Sequence, residues 1–460
     1  MKTPAFVHRS HIAAPAEAVF AWHARPGSFQ RLAPPWERVR VLEQTGGIRE
    51  GGRVVLEVRI GPRWVRWVAV HSDYVEGRQF RDTQVEGPFA HWVHTHRVEP
   101  DGPGASILED QVEYALPCGG LGRALGGRIA RRMLRRMFAY RHTATQGDVE
   151  THQRMQQEAA MHIAVTGSTG LIGSALVPFL TVGGHRVSRL VRGHAVGLDC
   201  IRWDPAKGVR DVALLEGLDG LVHLAGENIA GGRWTAARKA AIHRSRVEGT
   251  QRLCEALARL ARPPRVLVCA SAIGYYGDRG DQVLMEEAPP GNDFLALVCR
   301  EWEEAAAAAA KAGIRVVNLR FGIVLSPAGG ALRKMLLPFR LGAGGRIGNG
   351  RQYWSWIALD DVMGAIHHAL VTESLGGAVN AVAPSPVSNA EFTRVLGRVL
   401  RRPAITPLPA FAARILLGEM ADALLLASTR VMPKRLQETD YRFRHPDLEG
   451  ALRHLLGRTP

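Results

Sequence analysis

Eleven consecutive residues constrain this chain more than any other feature: Ile163-Ala164-Val165-Thr166-Gly167-Ser168-Thr169-Gly170-Leu171-Ile172-Gly173, running on into the apolar segment Ser174 to Leu180. An apolar strand that breaks at a glycine turn and re-enters as a helix is a βα unit. Such a unit persists only inside a parallel sheet covered by helices. Gly167, Gly170 and Gly173 recur at intervals of three. Their missing side chains let backbone approach an anion, and the helix start supplies unpaired amides and the positive end of its dipole. The run Gly167, Ser168, Thr169, Gly170, Leu171, Ile172 and Gly173 is therefore expected to cradle a pyrophosphate. Strand-like and helix-like segments alternate from Met161 onward, which predicts a doubly wound α/β domain over 161–380, followed by a small domain over 381–460.

The next strand, His185 to Arg192, sharpens the cofactor. A strand at this place usually ends in an acid that accepts hydrogen bonds from the ribose of NAD; here it ends in arginine. A guanidinium pairs with a 2'-phosphate, so NADP(H) is expected, with Arg192 as its first partner and Arg246 as its second. A further apolar strand, Gly220 to His223, runs into Leu224, Ala225, Gly226 and Glu227, small enough for close approach by the adenosine half.

Residues 1–150 have a different texture. Arg53 to Ile60, Trp64 to Tyr74 and His91 to Val98 alternate apolar and polar residues between glycine turns, which predicts a β-rich α+β module. Helices are expected over Ala16 to His23, opened by Pro15, and over Leu121 to His142. In the second, Ile129, Met133 and Met137, with Ala130, Leu134 and Phe138, recur at helical spacing and are expected to cover the module's interior. Arg128, Arg131, Arg132, Arg135 and Arg136 then point to water. Residues 151–160, polar and without periodicity, read as a linker.

The net charge of +16 suggests a polyanion partner, but only six of the 59 basic residues are lysine and the arginines are spread along the chain. The one concentration, from Arg123 to Arg141, has only Tyr140 beside it as an aromatic for base stacking. Specific nucleic-acid binding is therefore not expected. No apolar run reaches the ~20 residues that span a bilayer, and the N-terminus has no apolar secretion core, which points to the cytoplasm. The five cysteines are odd in number and without C-x-x-C spacing. That predicts neither disulfides nor a thiolate metal centre, and no metal ligands are assigned.

Two resemblances add to this reading. Ala14-Pro15-Ala16-Glu17-Ala18-Val19-Phe20-Ala21-Trp22-His23, the Pro34-Pro35-Trp36 run, the meander and the long final helix resemble the START-like (polyketide cyclase-like, helix-grip) family. The resemblance implies a curved sheet around a helix, enclosing an apolar ligand. Residues 161 to 457 resemble the extended short-chain dehydrogenase and sugar-nucleotide epimerase superfamily, with its Rossmann-type sheet. They are most similar to its atypical epimerase-like branch with a C-terminal domain of unknown function. The carrying segments are the glycine run, Arg244 to Thr250, Ser271 to Asp278, Leu319 to Leu325, Met335 to Gly342, Gly350 to Ile357 and Val431 to Leu436. The resemblance adds Ile323 to the cofactor contacts and implies that the small domain over 381–460 completes the substrate side.

The departures bear on catalysis. The superfamily's tyrosine needs a lysine four residues on to act as a base near neutral pH, and this chain has no such pair: Arg279 follows Tyr275 and Gly280 follows Tyr276 at that spacing. Tyr275 with Ser271 is the expected shifted acid/base pair, with Arg300 or the nicotinamide ribose assisting. Cys299 as a thiol, or cofactor binding without turnover in a sensor or scaffold, are the alternatives. Tyr353, Trp354 and Trp356 are candidates to line a small-molecule substrate pocket.

Overall fold

The structure, a computed structural model, describes residues 5–154, 160–193, 197 and 199–458. The chain divides into two units, Met1–Gln157 with Pro178–Gly184 and Leu456–Pro460, and Glu158–Val177 with His185–Leu455.

The first unit runs β1 (Ala5–Ile12), α1 (Ala16–Ala24), α2 (Ser28–Leu32), β2 (Val39–Thr45), β3 (Arg53–Ile60), β4 (Arg63–Val75), β5 (Gln79–Glu86), β6 (His91–Pro100), β7 (Ser106–Ala115) and α3 (Gly119–Arg154). Its seven strands form one antiparallel sheet in the order β1-β7-β6-β5-β4-β3-β2. This is a meander whose first strand returns to pair with its last, the sheet of a helix-grip fold. Pro15 precedes α1 and Glu17 sits in its first turn, where an acid complements the helix dipole. Val19, Phe20 and Trp22 of α1 pack with Ile12, Phe80, Val98 and Leu108 from the sheet. A second cluster joins Phe6, Trp92, Val112 and Tyr114 to Leu134 and Phe138 of α3.

Two expectations about α3 are corrected. The helix continues past His142 to Arg154, into the segment read as a linker; residues 155–159 of that segment lie outside the described residues. It continues because Thr145, Asp148 and Val149 still face inward, with Asp148 taking a bidentate pair from buried Arg31 at 2.7 and 2.9 Å. The inward face also differs. Leu134 and Phe138 are buried, whereas Ile129 and Met133 are 63% and 58% exposed. Each helical residue turns the side chain by about 100°, so the apolar row one position over from Leu134 faces water. Arg128, Arg131, Arg132 and Arg135 are exposed as expected, while Arg136 lies half-buried over the Trp36 ring.

The second unit's strands, among the described residues, are β8 (His162–Thr166), β9 (Arg186–Val191), β10 (Cys200–Asp204), β11 (Gly208–Val209), β12 (Gly220–His223), β13 (Val266–Ala272), β14 (Val283–Leu284), β15 (Arg315–Phe321), β16 (Ile323–Leu325), β17 (Tyr353–Trp354), β18 (Trp356–Ala358), β19 (Gly377–Ala381), β20 (Val387–Ser388) and β21 (Arg430–Val431). Eight of them form a sheet in the order β11-β10-β9-β8-β12-β13-β15-β19, parallel throughout except for the β10–β11 edge. Its helices include α4 (Leu171–Val182), α5 (Ala236–Ala258), α6 (Phe294–Glu304), α7 (Ala307–Lys311), α8 (Gly330–Arg340), α9 (Leu359–Val371), α10 (Asn389–Leu400) and α11 (Ala410–Leu417). The chain leaves β8 for β9 on one side and later fills β12 on the other. The strand order therefore reverses at β8, and the crevice beyond the carboxyl ends of β8 and β12 is where such sheets bind ligands.

At the C-terminal side the sequence predicts a helix to Leu400 opened by Ser388 or Asn389, and Ser388 supplies the cap of α10, accepting from the Glu391 amide at 3.2 Å. The apolar pattern over Phe411 to Leu426 predicts one helical stretch, which is interrupted in the structure because Gly418 adopts φ +63° after Leu417. Among the described residues no helix is long and apolar enough to cross a membrane.

Candidate functional site

The glycine run occupies the crevice. Gly167 has φ +65°, and a Cβ there would lie 2.8 Å from the Leu224 carbonyl carbon and 2.9 Å from the Ala225 nitrogen. The first glycine thus lets the loop after β8 touch the loop after β12. Gly173 permits the turn itself: its Cβ would lie 2.3 Å from the Gly167 oxygen. A side chain at Gly170 is expected to collide with the pyrophosphate or with the turn; of the turn, its Cβ would meet only the Gly167 oxygen, at 3.3 Å. Thr169 and Gly170 are exposed at the start of α4, while Ser168 is buried and Leu171 and Ile172 are half-buried. Apart from its chain neighbours and the Gly167 oxygen, no protein atom lies within 4 Å of a Cβ at Gly170, so the residues present fit the close approach of a dinucleotide's pyrophosphate.

A buried chain of polar groups fixes these loops. Thr166 Oγ1 accepts from the Leu224 and Ala225 amides at 3.0 and 3.2 Å and lies 2.8 Å from His223 Nδ1. His223 Nε2 lies 3.0 Å from Thr250 Oγ1, which also accepts from Trp302 Nε1 at 2.9 Å. With both lone pairs of Thr166 taken by amides, its proton goes to His223 Nδ1, which assigns the neutral ring its proton at Nε2. Burial pushes the His223 pKa down to about 4, in keeping with a neutral ring.

The two arginines expected at a 2'-phosphate separate. Arg192 follows β9 and is exposed. Arg246 donates to the Glu227 carbonyl at 3.0 Å and its guanidinium lies over the Trp302 ring, 5.1 Å from the centroid. It is thus tied to the loop after β12, and β8 lies between β9 and β12. The Glu227 amide donates to Ser245 Oγ at 3.0 Å and its carboxylate pairs with Arg238 at 2.9 Å. Gly226 is exposed beside this loop, and Ile323, half-buried, donates its amide to the Ser355 carbonyl at 2.8 Å.

Ser271 and Tyr275 meet over one arginine. The Ser271 hydroxyl donates to Glu303 Oε1 at 2.7 Å, and Arg320 grips both Glu303 oxygens at 2.8 Å. The Arg320 guanidinium lies flat against the Tyr275 ring, 3.5 Å from its centroid. Arg320 also donates to the Tyr276 hydroxyl at 2.9 Å, which itself donates to Asn380 Oδ1 at 2.7 Å. Burial raises the Tyr276 pKa to about 12. Tyr276, wholly buried, is therefore a structural hydroxyl, whereas Tyr275 is half-exposed.

The other candidates resolve too. Cys299 is buried and its thiol pushed up to about 12, so it is no thiolate near neutral pH. Arg300 faces solvent, 3.7 Å from Glu304, and does not assist Tyr275. Trp354 and Trp356 are core residues, their indoles donating to the Leu425 and Ser385 carbonyls. Only Tyr353, half-buried under Arg430, keeps some exposed surface.

Thr166, His223, Glu303, Arg320 and Asn380 were not assigned roles from sequence, although a signal exists. In the sheet register Thr166 pairs with His223, and Ser271 with Arg320 and then Asn380. Thr166, His223, Arg320 and Asn380 are polar residues near the carboxyl ends of mostly apolar strands, whereas Glu303 lies on α6 and carries no such signal.

This crevice, with its glycine turn and polar row, defines the second unit as a Rossmann-type nucleotide-binding domain. Residues 163–381 match the NAD dependent epimerase/dehydratase family, 408–455 a domain of unknown function, and 3–145 the family described as polyketide cyclase / dehydrase and lipid transport. An epimerase family protein of Mycobacterium bovis is 42% identical over 290 residues, covering 63% of this chain and 96% of that one. The chain belongs to this epimerase family. Among solved structures, a nucleoside-diphosphate sugar epimerase from Corynebacterium glutamicum is 35% identical, covers 98% of this chain and 90% of its own, and has a TM-score of 0.80. Human epimerase family protein SDR39U1 (isoform 2), solved with NADPH, is 37% identical over 64% of this chain and 99% of its own, with a TM-score of 0.60.

Proposed function

We propose that this protein is an NADP(H)-binding oxidoreductase of the extended short-chain dehydrogenase kind, acting on a small molecule that carries a hydroxyl or carbonyl group. The observation that carries the reading is the open glycine cradle at the strand-order reversal, bordered by β9, which is followed by Arg192 and no acid. The Gly167 to Gly173 run holds the pyrophosphate, with Leu224, Ala225, Gly226, Glu227 and Ile323 along the rest of the cofactor and Arg192 at the 2'-phosphate. The human relative solved with NADPH supports the choice of cofactor. The bound nicotinamide supplies or accepts hydride. Tyr275, half-exposed above Arg320, exchanges the substrate proton, and Ser271, its own proton held by Glu303, accepts a hydrogen bond from a substrate hydroxyl. The test is a binding titration of NADPH against NADH for the wild type and Arg192→Glu. The variant is expected to lose NADPH affinity by tenfold or more, or about 1.4 kcal/mol, with NADH little changed. Equal wild-type affinity for both cofactors would refute it.

A second reading, cofactor binding with little or no turnover as a sensor or scaffold, is favoured by the commitment of Ser271 to Glu303 and the missing lysine. NADPH oxidation across a panel of carbonyl substrates, with Tyr275→Phe as control, separates the two. The proposed division of labour is the N-terminal module, whose last helix runs to Arg154, for an apolar ligand, 161–380 for the cofactor and 381–460 completing the substrate side. The five free thiols favour a cytoplasmic setting.

A further inference from the structure

The interior of the first unit carries polar groups that the oxidoreductase reading leaves unused. Strand side chains alternate, so Trp92, His94, His96 and Val98 of β6 share the buried face with Leu108, Asp110, Val112 and Tyr114 of β7. In register, Asp82 of β5 lies opposite His94, and Asp110 opposite His96. The two imidazoles are therefore held between two carboxylates. His94 Nδ1 and His96 Nε2 lie 3.0 and 3.5 Å from Asp82 Oδ2. The far nitrogens, His94 Nε2 and His96 Nδ1, lie 3.1 and 2.7 Å from Asp110 Oδ1. The second Asp110 oxygen lies 2.8 Å from His142 Nε2 of α3, whose Nδ1 is 2.9 Å from Ser10 Oγ.

Both rings thus face carboxylate oxygen at both nitrogens. His96 Nδ1 makes no hydrogen bond despite its closeness to Asp110, because the angle is too poor. His94 and His96 are 2% and 6% exposed, so the pair is shielded from bulk solvent. The three atoms facing Asp82's side all lie within 4.8 Å of one another. Ligand atoms about 2.0–2.2 Å from a tetrahedral metal ion stand ~3.4 Å apart, close to the 3.0 and 3.5 Å measured.

We propose that Asp82 Oδ2, His94 Nδ1 and His96 Nε2 bind one divalent transition-metal ion of the zinc class, with Asp110 as the outer carboxylate orienting both rings and a fourth position left for water or a ligand. Metal-bound histidines characteristically direct the other ring nitrogen at such a carboxylate, and three protein ligands leave an open coordination position. The donor set is imidazole and carboxylate, distinct from the thiolate set that the cysteine spacing excluded. The proposal stands apart from the nucleotide site.

The test loads the full-length protein with Zn²⁺, removes free metal, and measures retained zinc and its dissociation constant. Co²⁺ substitution reports the coordination geometry by visible absorption. The wild type is expected to retain one ion per chain. The double variant His94→Gln/His96→Gln should retain none, and Asp110→Asn should bind about 10- to 100-fold more weakly. Asp360→Asn, in the separate Asp360, His445 and His454 group, should leave this ion in place. Should the double variant not fold, Asp82→Asn, nearly isosteric and partly exposed, serves instead and must weaken Zn²⁺ binding at least tenfold. A wild type that retains no zinc, or wild-type affinity in the folded His94/His96 or Asp82 variant, overturns the proposal.

Discussion

Thr166→Val isolates what the buried polar chain contributes. Valine matches threonine in shape, so the substitution removes the hydroxyl and leaves packing nearly unchanged. Thr166 is fully buried, and its oxygen is the acceptor for two amides, Leu224 and Ala225, as well as the donor to His223 Nδ1. Leaving a buried polar group unpaired costs about 1–3 kcal/mol. Leu224 and Ala225 are half-buried, so water recovers part of that for the amides, whereas His223 is fully buried and cannot be rehydrated. A net loss of about 2–4 kcal/mol is expected from one unrecovered group and two partly recovered ones. Urea unfolding of the second unit reads it directly, as a lower midpoint at unchanged slope. Because the same amides set the gap between the two crevice loops, NADPH affinity should fall in parallel by at least tenfold, about 1.4 kcal/mol. A loss of stability under about 0.5 kcal/mol, within the range of ordinary surface substitutions, would show that the hydroxyl does not hold the loops and would refute the reasoning.

Three further outcomes follow from the geometry. Gly173→Ala places a methyl 2.3 Å from the Gly167 oxygen and 2.7 Å from the Ser168 Cα, so it should destroy the turn and NADPH binding together. Gly170→Ala, whose only close contact is at 3.3 Å, should keep the fold, as seen by circular dichroism, and weaken binding alone. In α3, Leu134→Ala should destabilise the first unit by about 2–5 kcal/mol, while Met133→Ala, at an exposed position, should change it by under about 0.5 kcal/mol; equal losses would restore the inward Met133 read from the sequence. The His223 pKa is lowered to about 4 from 6.5, so the unfolded chain takes up a proton that the folded chain refuses. Its stabilising effect is complete above pH 6.5 and is lost as pH falls toward 4, on the order of 3 kcal/mol for this fully buried ring. The measurement is stability against pH in the wild type and a His223→Gln variant, and an equal acid slope in both would contradict the assignment.

The sequence by itself determined whatever depends on local chemistry and periodicity. The Ile163 to Gly173 run specifies strand, turn and helix because backbone permissiveness and apolar patterning act over neighbouring residues, and the Ser388 cap is legible for the same reason. The alternation in β3, β4 and β6 announces strands. Tertiary structure decided which rows meet. One residue of helical phase sets whether Met133 or Leu134 faces inward, and the apolar spacing of α3 contains both rows; the sheet's curvature and the Arg31–Asp148 pair select between them. Arg320 lies far in sequence from Tyr275 and Glu303, and only the parallel register of β13, β15 and β19 brings Ser271, Arg320 and Asn380 into one row. Arg246 has the right residue type for a phosphate, yet it lies on the β12 side of the sheet, a matter of strand order that no local pattern encodes. His94 and His96, two apart on a strand, are visible in the sequence as a same-face pair. What the sequence does not show is that their neighbours across the ladder are Asp82 and Asp110, because strand pairing is a long-range choice made by the whole sheet.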